Sequence, residues 1–214
     1  MQIFHRSTNT LARFSIFGGL FFVAFVLWVV GMINRSPIVT QQGIRQAQPV
    51  PFSHQHHVAG LGIDCRYCHT TVETSSFAGI PPTSTCMNCH SQIWTGAEML
   101  EPIRASYKSG KPVVWTRVHN LGDYVHFNHS IHVKKGIGCV SCHGRVDKMQ
   151  LTYQDKPMTM EWCLECHRAP EKHVRPREQV FNLAWQSPDQ ATLGPQLVRQ
   201  YGIQSKTNCS VCHY

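Results

Sequence analysis

All ten cysteines of this chain fall into five copies of one pattern, C-x-x-C-H, with none left over. The copies are Cys65-Arg66-Tyr67-Cys68-His69, Cys86-Met87-Asn88-Cys89-His90, Cys139-Val140-Ser141-Cys142-His143, Cys163-Leu164-Glu165-Cys166-His167 and Cys209-Ser210-Val211-Cys212-His213. On a helical turn, positions i, i+3 and i+4 share a face, so two thiols and an imidazole meet one flat group together. This is the attachment pattern of a c-type haem: the thiols take the vinyl groups and the histidine reaches the iron. Zinc sites, disulfides and thioredoxin-like redox pairs also use C-x-x-C, but they have no use for a histidine directly after every second cysteine. The sequence therefore implies five covalently bound haem c groups. Their thioether residues are Cys65, Cys68, Cys86, Cys89, Cys139, Cys142, Cys163, Cys166, Cys209 and Cys212, and their proximal iron ligands are His69, His90, His143, His167 and His213.

Five haems are a heavy load for 214 residues. A chain this short cannot build a large aliphatic core beside them, and small domains commonly depend on such staples. The expected fold is one N-terminal transmembrane helix followed by a small, mainly irregular and α-helical multihaem domain with little or no sheet. The formal charge of +8 overstates the real one, because each haem carries two propionates. Arg66, Arg145, Arg168 and Lys148, beside the attachment motifs, are expected to pair with those propionates. The basic residues are scattered rather than clustered, which gives no support to nucleic-acid binding.

Residues 14–33, FSIFGGLFFVAFVLWVVGMI, contain no charge and are long enough to cross a bilayer as a helix. Arg6 and Arg13 precede this stretch, and Arg35 follows it. The competing reading is a cleaved signal peptide, whose apolar region is usually shorter and ends in a small-x-small site that is missing here. The expectation is an uncleaved single-pass anchor in a bacterial inner membrane. Residues 1–13 would then be cytoplasmic and the haem domain periplasmic, the side on which haem c is attached. Residues 34–50 hold Pro37, Pro49 and a glutamine-rich stretch, which argue against helix and for an extended linker.

Beyond the linker the chain repeats. Phe52-Ser53-His54-Gln55-His56-His57-Val58 leads to Cys65, and Phe127-Asn128-His129-Ser130-Ile131-His132-Val133 leads to Cys139. Each is followed by a second attachment motif. The soluble part thus divides into two di-haem modules, 51–118 and 119–187, with a tail, 188–214, that carries the fifth haem. In F-x-H-x-x-H the two histidines lie about one helical turn apart, so each can reach a different haem. His54, His57, His129 and His132 are the expected distal ligands, with His119 as the fifth and Met160 as a substitute for one histidine. His126 and His56 read as supporting or surface residues, His173 as a surface residue, and His5 lies across the membrane. Met158 ranks below Met160, and Met87 sits on the proximal side. The expected function of a methionine near a porphyrin is otherwise packing.

The F-x-H-x-x-H pattern ahead of C-x-x-C-H resembles class III multihaem cytochromes c. A narrower set is similar to the pentahaem cytochrome c subunit of bacterial alternative complex III. It comprises Pro51-Phe52-Ser53-His54, Gly79-Ile80-Pro81-Pro82-Thr83, Arg117-Val118-His119-Asn120-Leu121, Phe127 to His132 and Met160-Glu161-Trp162-Cys163. The resemblance covers most of the chain. It implies a relay that takes electrons from quinol oxidation, through iron–sulfur and haem partners, to a periplasmic carrier or a terminal oxidase. The implied partners are a polytopic quinol-binding subunit, an iron–sulfur subunit, and a downstream cytochrome c, copper protein or oxidase. Two alternatives remain: a free-standing one-span multihaem quinol dehydrogenase, and a multihaem reductase. The reductase needs an iron with an open position, whereas this chain has enough histidines to close every iron. No catalytic site is expected within the chain alone.

Overall fold

The computed structural model describes residues 4–213. The chain forms two compact units, one up to Gln42 and one from Gly43 onward. In the first, the helix Ser7–Arg35 runs for 29 residues with none of them buried. At 1.5 Å per residue it is about 43 Å long, more than a hydrocarbon core requires. It is long and apolar enough to cross a membrane, a test that signal sequences near an N-terminus also pass. The expectation that residues 34–50 avoid helix needs correction. The long helix continues to Arg35, and Pro37–Thr40 forms a further helical turn that ends at Gln41 in the left-handed region. Proline at the first helical position loses no hydrogen bond, and its fixed φ favours the turn.

The second unit is a small, mainly helical and irregular domain. Among the described residues it has no strand, only the isolated bridges Arg45 to Tyr153, Val125 to His213 and Ile137 to Val174. Its extended lead-in is pinned along its length. Gly43 N–H donates to the Gln154 carbonyl (2.8 Å), the Gln48 side chain pairs with the Thr116 backbone through both amide groups, and Val50 is buried. The apolar core is two small clusters rather than one. Val50, Leu100 and Ile103 form the first, and Val174, Leu197 and Tyr201 the second. So little aliphatic core leaves the rest of the interior to something other than side chains.

Each of the five C-x-x-C-H motifs starts a helical turn, at Cys65–Cys68, within Thr83–His90, at Cys139–His143, within Met160–Arg168 and at Cys209–Cys212. The duplicated histidine segments differ in one respect. His129–Lys134 is an α-helix, but Gln55–Gly60 is a π-helix. Eight positions separate His57 from Cys65, and seven separate His132 from Cys139. A π-turn takes up one extra residue without moving what lies on either side of it, so the first copy absorbs its insertion there.

The helix Gln190–Gln200 is capped by Asp189, which accepts from Thr192 N–H (3.1 Å). Gln190 fastens it to the preceding turn, donating to the carbonyls of Glu171 (2.7 Å) and Val174 (2.8 Å). Gly194 lies so close to the Glu171 backbone that a Cβ there would collide with the carbonyl oxygen. Glycine to alanine in a helix normally stabilises; here the contact reverses the sign. Gly194→Ala is expected to cost about 1–3 kcal/mol, read as a lower thermal unfolding midpoint of the full-length protein in detergent.

Candidate functional site

The histidines of the two repeats are held by the same contacts in both copies. Phe52 meets His54 edge-on (centroids 4.9 Å, 87°) and stacks on His57 (4.4 Å, 22°). Phe127 does the same to His129 (4.7 Å, 87°) and His132 (4.8 Å, 27°). One aromatic ring thus meets two imidazoles, one edge-on and one stacked. The later histidine of each copy is also bonded to its own turn: His57 Nδ1 to the Ser53 carbonyl (2.9 Å) and His132 Nδ1 to the Asn128 carbonyl (2.7 Å).

These rings face attachment-motif histidines across gaps of nearly one size. The centroids of His57 and His90 are 6.2 Å apart at 67°, and those of His132 and His167 are 6.2 Å apart at 72°. His129 and His143 are 6.3 Å apart and nearly parallel, at 8°. Two metal–nitrogen bonds of about 2.0 Å plus two half-rings give a spacing of roughly 6 Å, so one metal between two imidazoles fits each gap. The fourth repeat-related pair, His54 and His69, shows its closeness electrostatically. Burial pushes the His54 imidazole down to about 4, and His69 is the neighbouring charge that adds most to it, ahead of His57 and His119.

The ring nitrogens complete the pattern. The Nδ1 atoms of His69, His90 and His129 lie 2.7, 3.3 and 2.8 Å from the carbonyls of Gly79, Ile93 and Ser76, and His54 Nδ1 lies 2.9 Å from Thr152 Oγ1. A carbonyl at Nδ1 fixes the tautomer that leaves Nε2 as a lone pair, and a hydroxyl there can accept the same proton, the arrangement usual behind metal-bound histidine. Where burial is deepest it favours the neutral imidazole, the state a ligand needs, as at His54. It pushes His143 down to about 3, with His119, His129, His69 and His54 adding in that order, and it lowers His119 and His132 as well. These donors fit a haem iron between paired imidazoles.

The remaining candidates take other surroundings. His119 turns its Nε2 to the back of His143, 3.1 Å from Nδ1, with the rings 4.4 Å apart at 80°. It stands where carbonyls stand behind the other histidines. Met160 is 65% exposed at the start of its helix. The ring of His213 stacks with Tyr124 (5.7 Å, 25°), and His126 N–H donates to the Cys212 carbonyl (2.8 Å). His173 is not the surface residue expected, since its Nε2 is buried without a partner. Arg66 and Arg145, expected on propionates, bond to Asp64 and Asp147 two residues away.

The cysteines do not behave as a thiolate cluster. None is in a disulfide. Burial raises the Cys139 thiol to about 11 and the Cys142 thiol to about 12, with neighbouring sulfurs adding to both. A zinc or redox-active thiol needs the opposite shift. Among the described residues no group of three or more His, Cys, Asp or Glu is gathered to hold a metal ion.

Comparison with known proteins agrees with this chemistry. The family of cytochrome c7 and related cytochrome c matches residues 125–214. The menaquinone reductase multiheme cytochrome c subunit of Nitratidesulfovibrio vulgaris (strain Hildenborough) is 34% identical over 151 residues, spanning 61% of this chain and 71% of the relative. The cofactor of this family is covalently bound haem c. The paired imidazoles, the cysteines beside them and this likeness together place the chain in the cytochrome c7-like family of multihaem cytochromes c.

Proposed function

We propose that the chain is a membrane-anchored pentahaem cytochrome c that relays electrons between a quinol-oxidising membrane subunit and an extracytoplasmic acceptor. The observation that carries this reading is the repeated imidazole gap of 6.2–6.3 Å, which closes irons on both sides and leaves no position for a substrate. On this reading His54 and His69, His57 and His90, His129 and His143, and His132 and His167 form four bis-histidine sites. Haem c supplies one-electron chemistry, and the chain's own residues set its potential through ligand, burial and hydrogen bonds. Cys65, Cys68, Cys86, Cys89, Cys139, Cys142, Cys163, Cys166, Cys209 and Cys212 tether the five groups.

The fifth site, at His213, takes Met160 as its other ligand. His119 is engaged behind His143, whereas Met160 lies one turn before Cys163, whose thiol is raised by burial and then by the nearby Cys212. A thioether in place of a histidine raises the potential. One of five redox waves should therefore lie well above the others. Met160→Leu should remove that wave and create a carbon monoxide-binding haem, with the other four unchanged.

The helix Ser7–Arg35 anchors the chain, with residues 51–118, 119–187 and 188–214 as two di-haem modules and a tail on the extracytoplasmic side. The partners are a polytopic quinol-binding subunit and an iron–sulfur subunit, with a cytochrome c, copper protein or oxidase downstream. The similar protein's name, menaquinone reductase, favours a second reading in which electrons run into the quinone pool instead. Purification of the native protein in mild detergent, with subunit identification and haem quantification, tests both readings. We expect five haems per chain, co-purifying partners, and quinol-to-cytochrome c activity faster than the reverse. Faster quinone reduction would favour the second reading. A chain that arrives alone and still oxidises quinol would overturn the relay in favour of a one-span dehydrogenase.

A further inference from the structure

We infer that Thr152 is a positioning residue for the haem ligated by His54, acting across the boundary between the two modules. This rests on the bis-histidine reading above. The earlier histidine of each repeat is braced by the other module, unlike the later one. His129 Nδ1 bonds to the Ser76 carbonyl of the first module, beside Ser130 N–H on the Ser75 carbonyl (3.1 Å). His54 Nδ1 bonds to Thr152 Oγ1 of the second, beside Gln55 N–H on the Met149 carbonyl (3.0 Å).

The two braces are equivalent in place but not in chemistry. A carbonyl can only accept. A hydroxyl can accept or donate, and it can be deleted without touching the backbone. For Nε2 of His54 to carry a lone pair, Nδ1 must hold the proton and donate it to Thr152 Oγ1. Thr152 is itself held firmly. Tyr153 bridges to Arg45, and the Gln154 carbonyl accepts from Gly43. These contacts hold the backbone that carries the hydroxyl, which lies 2.9 Å from His54 Nδ1. Its hydrogen bond gives the ring partial imidazolate character, which favours the oxidised iron and lowers the potential of that one site.

The test compares Thr152→Val, which keeps the shape and removes the hydroxyl, with Thr152→Ser, which keeps the hydroxyl. Both are made in the full-length protein and titrated potentiometrically after haem quantification. In Thr152→Val one low-potential wave should move positive by about 59 mV, a tenfold change for a one-electron couple, while Thr152→Ser keeps the native value. If Thr152→Val does not accumulate, Thr152→Ala removes the same hydroxyl with less bulk and is read in the same way. Assembly of Thr152→Ser alone would also support the hydroxyl. Unchanged waves in Thr152→Val, or loss of assembly in all three variants, would overturn the inference. A haem count other than five in the native protein would instead count against the pentahaem reading.

Discussion

The domain depends on one constraint: buried imidazoles must satisfy two nitrogens in opposite ways. A buried polar atom without a partner costs roughly 1–3 kcal/mol, and His143, His132 and His54 are all taken out of water. The protein supplies the partner at Nδ1, most often a backbone carbonyl, as at Gly79, Ser53 and Asn128. It supplies none within the 6 Å gaps between facing rings. Two small clusters of aliphatic side chains cannot hold the fold against its conformational entropy. Bound centres commonly supply the folding energy that so small a core lacks.

The duplication shows which features that constraint fixes. Between the two copies the phenylalanine–histidine angles agree within a few degrees, and the later histidines face their partners at the same 6.2 Å. The backbone between them does not agree: one copy uses a π-helix and the other an α-helix. A residue can be added where it bends a turn, provided the rings keep their places. The same logic explains Gly194, where one helix packs so tightly on the Glu171 carbonyl that only hydrogen fits.

Much of this was legible in sequence because it is local. The helical turns at the five motifs follow from spacing alone, and so does the repeat of F-x-H-x-x-H. The absence of strands among the described residues follows from the load of cofactor on a short chain. The rest depended on contacts that spacing does not encode. Thr152 is 98 positions from His54, and Ser76 is 53 from His129. His119 meets His143 across 24 positions, another contact of this kind. His173, six residues after His167, read as surface by default, and the burial of its Nε2 is a tertiary effect that this spacing does not encode. Pro37 suggested a break and instead began a turn.

The bracing also divides the proposed sites into two groups. On the proposed ligation, the sites of His57 and His132 draw their braces from their own turns. On the proposed two-module division, His54 and His129 draw their braces from Thr152 and Ser76 of the opposite module. His143 belongs to this second group. Its ring lies 4.4 Å from that of His119 and 6.3 Å from that of His129, and burial and then these neighbours lower its basicity. Two haems built on the sites of His54 and His129 would be held by both modules at once. Movement of one module against the other would then disturb ligation before it disturbed either aliphatic core. A relay needs its centres fixed relative to one another more than it needs each module rigid alone, and bracing ligands across the junction meets that need with two hydrogen bonds.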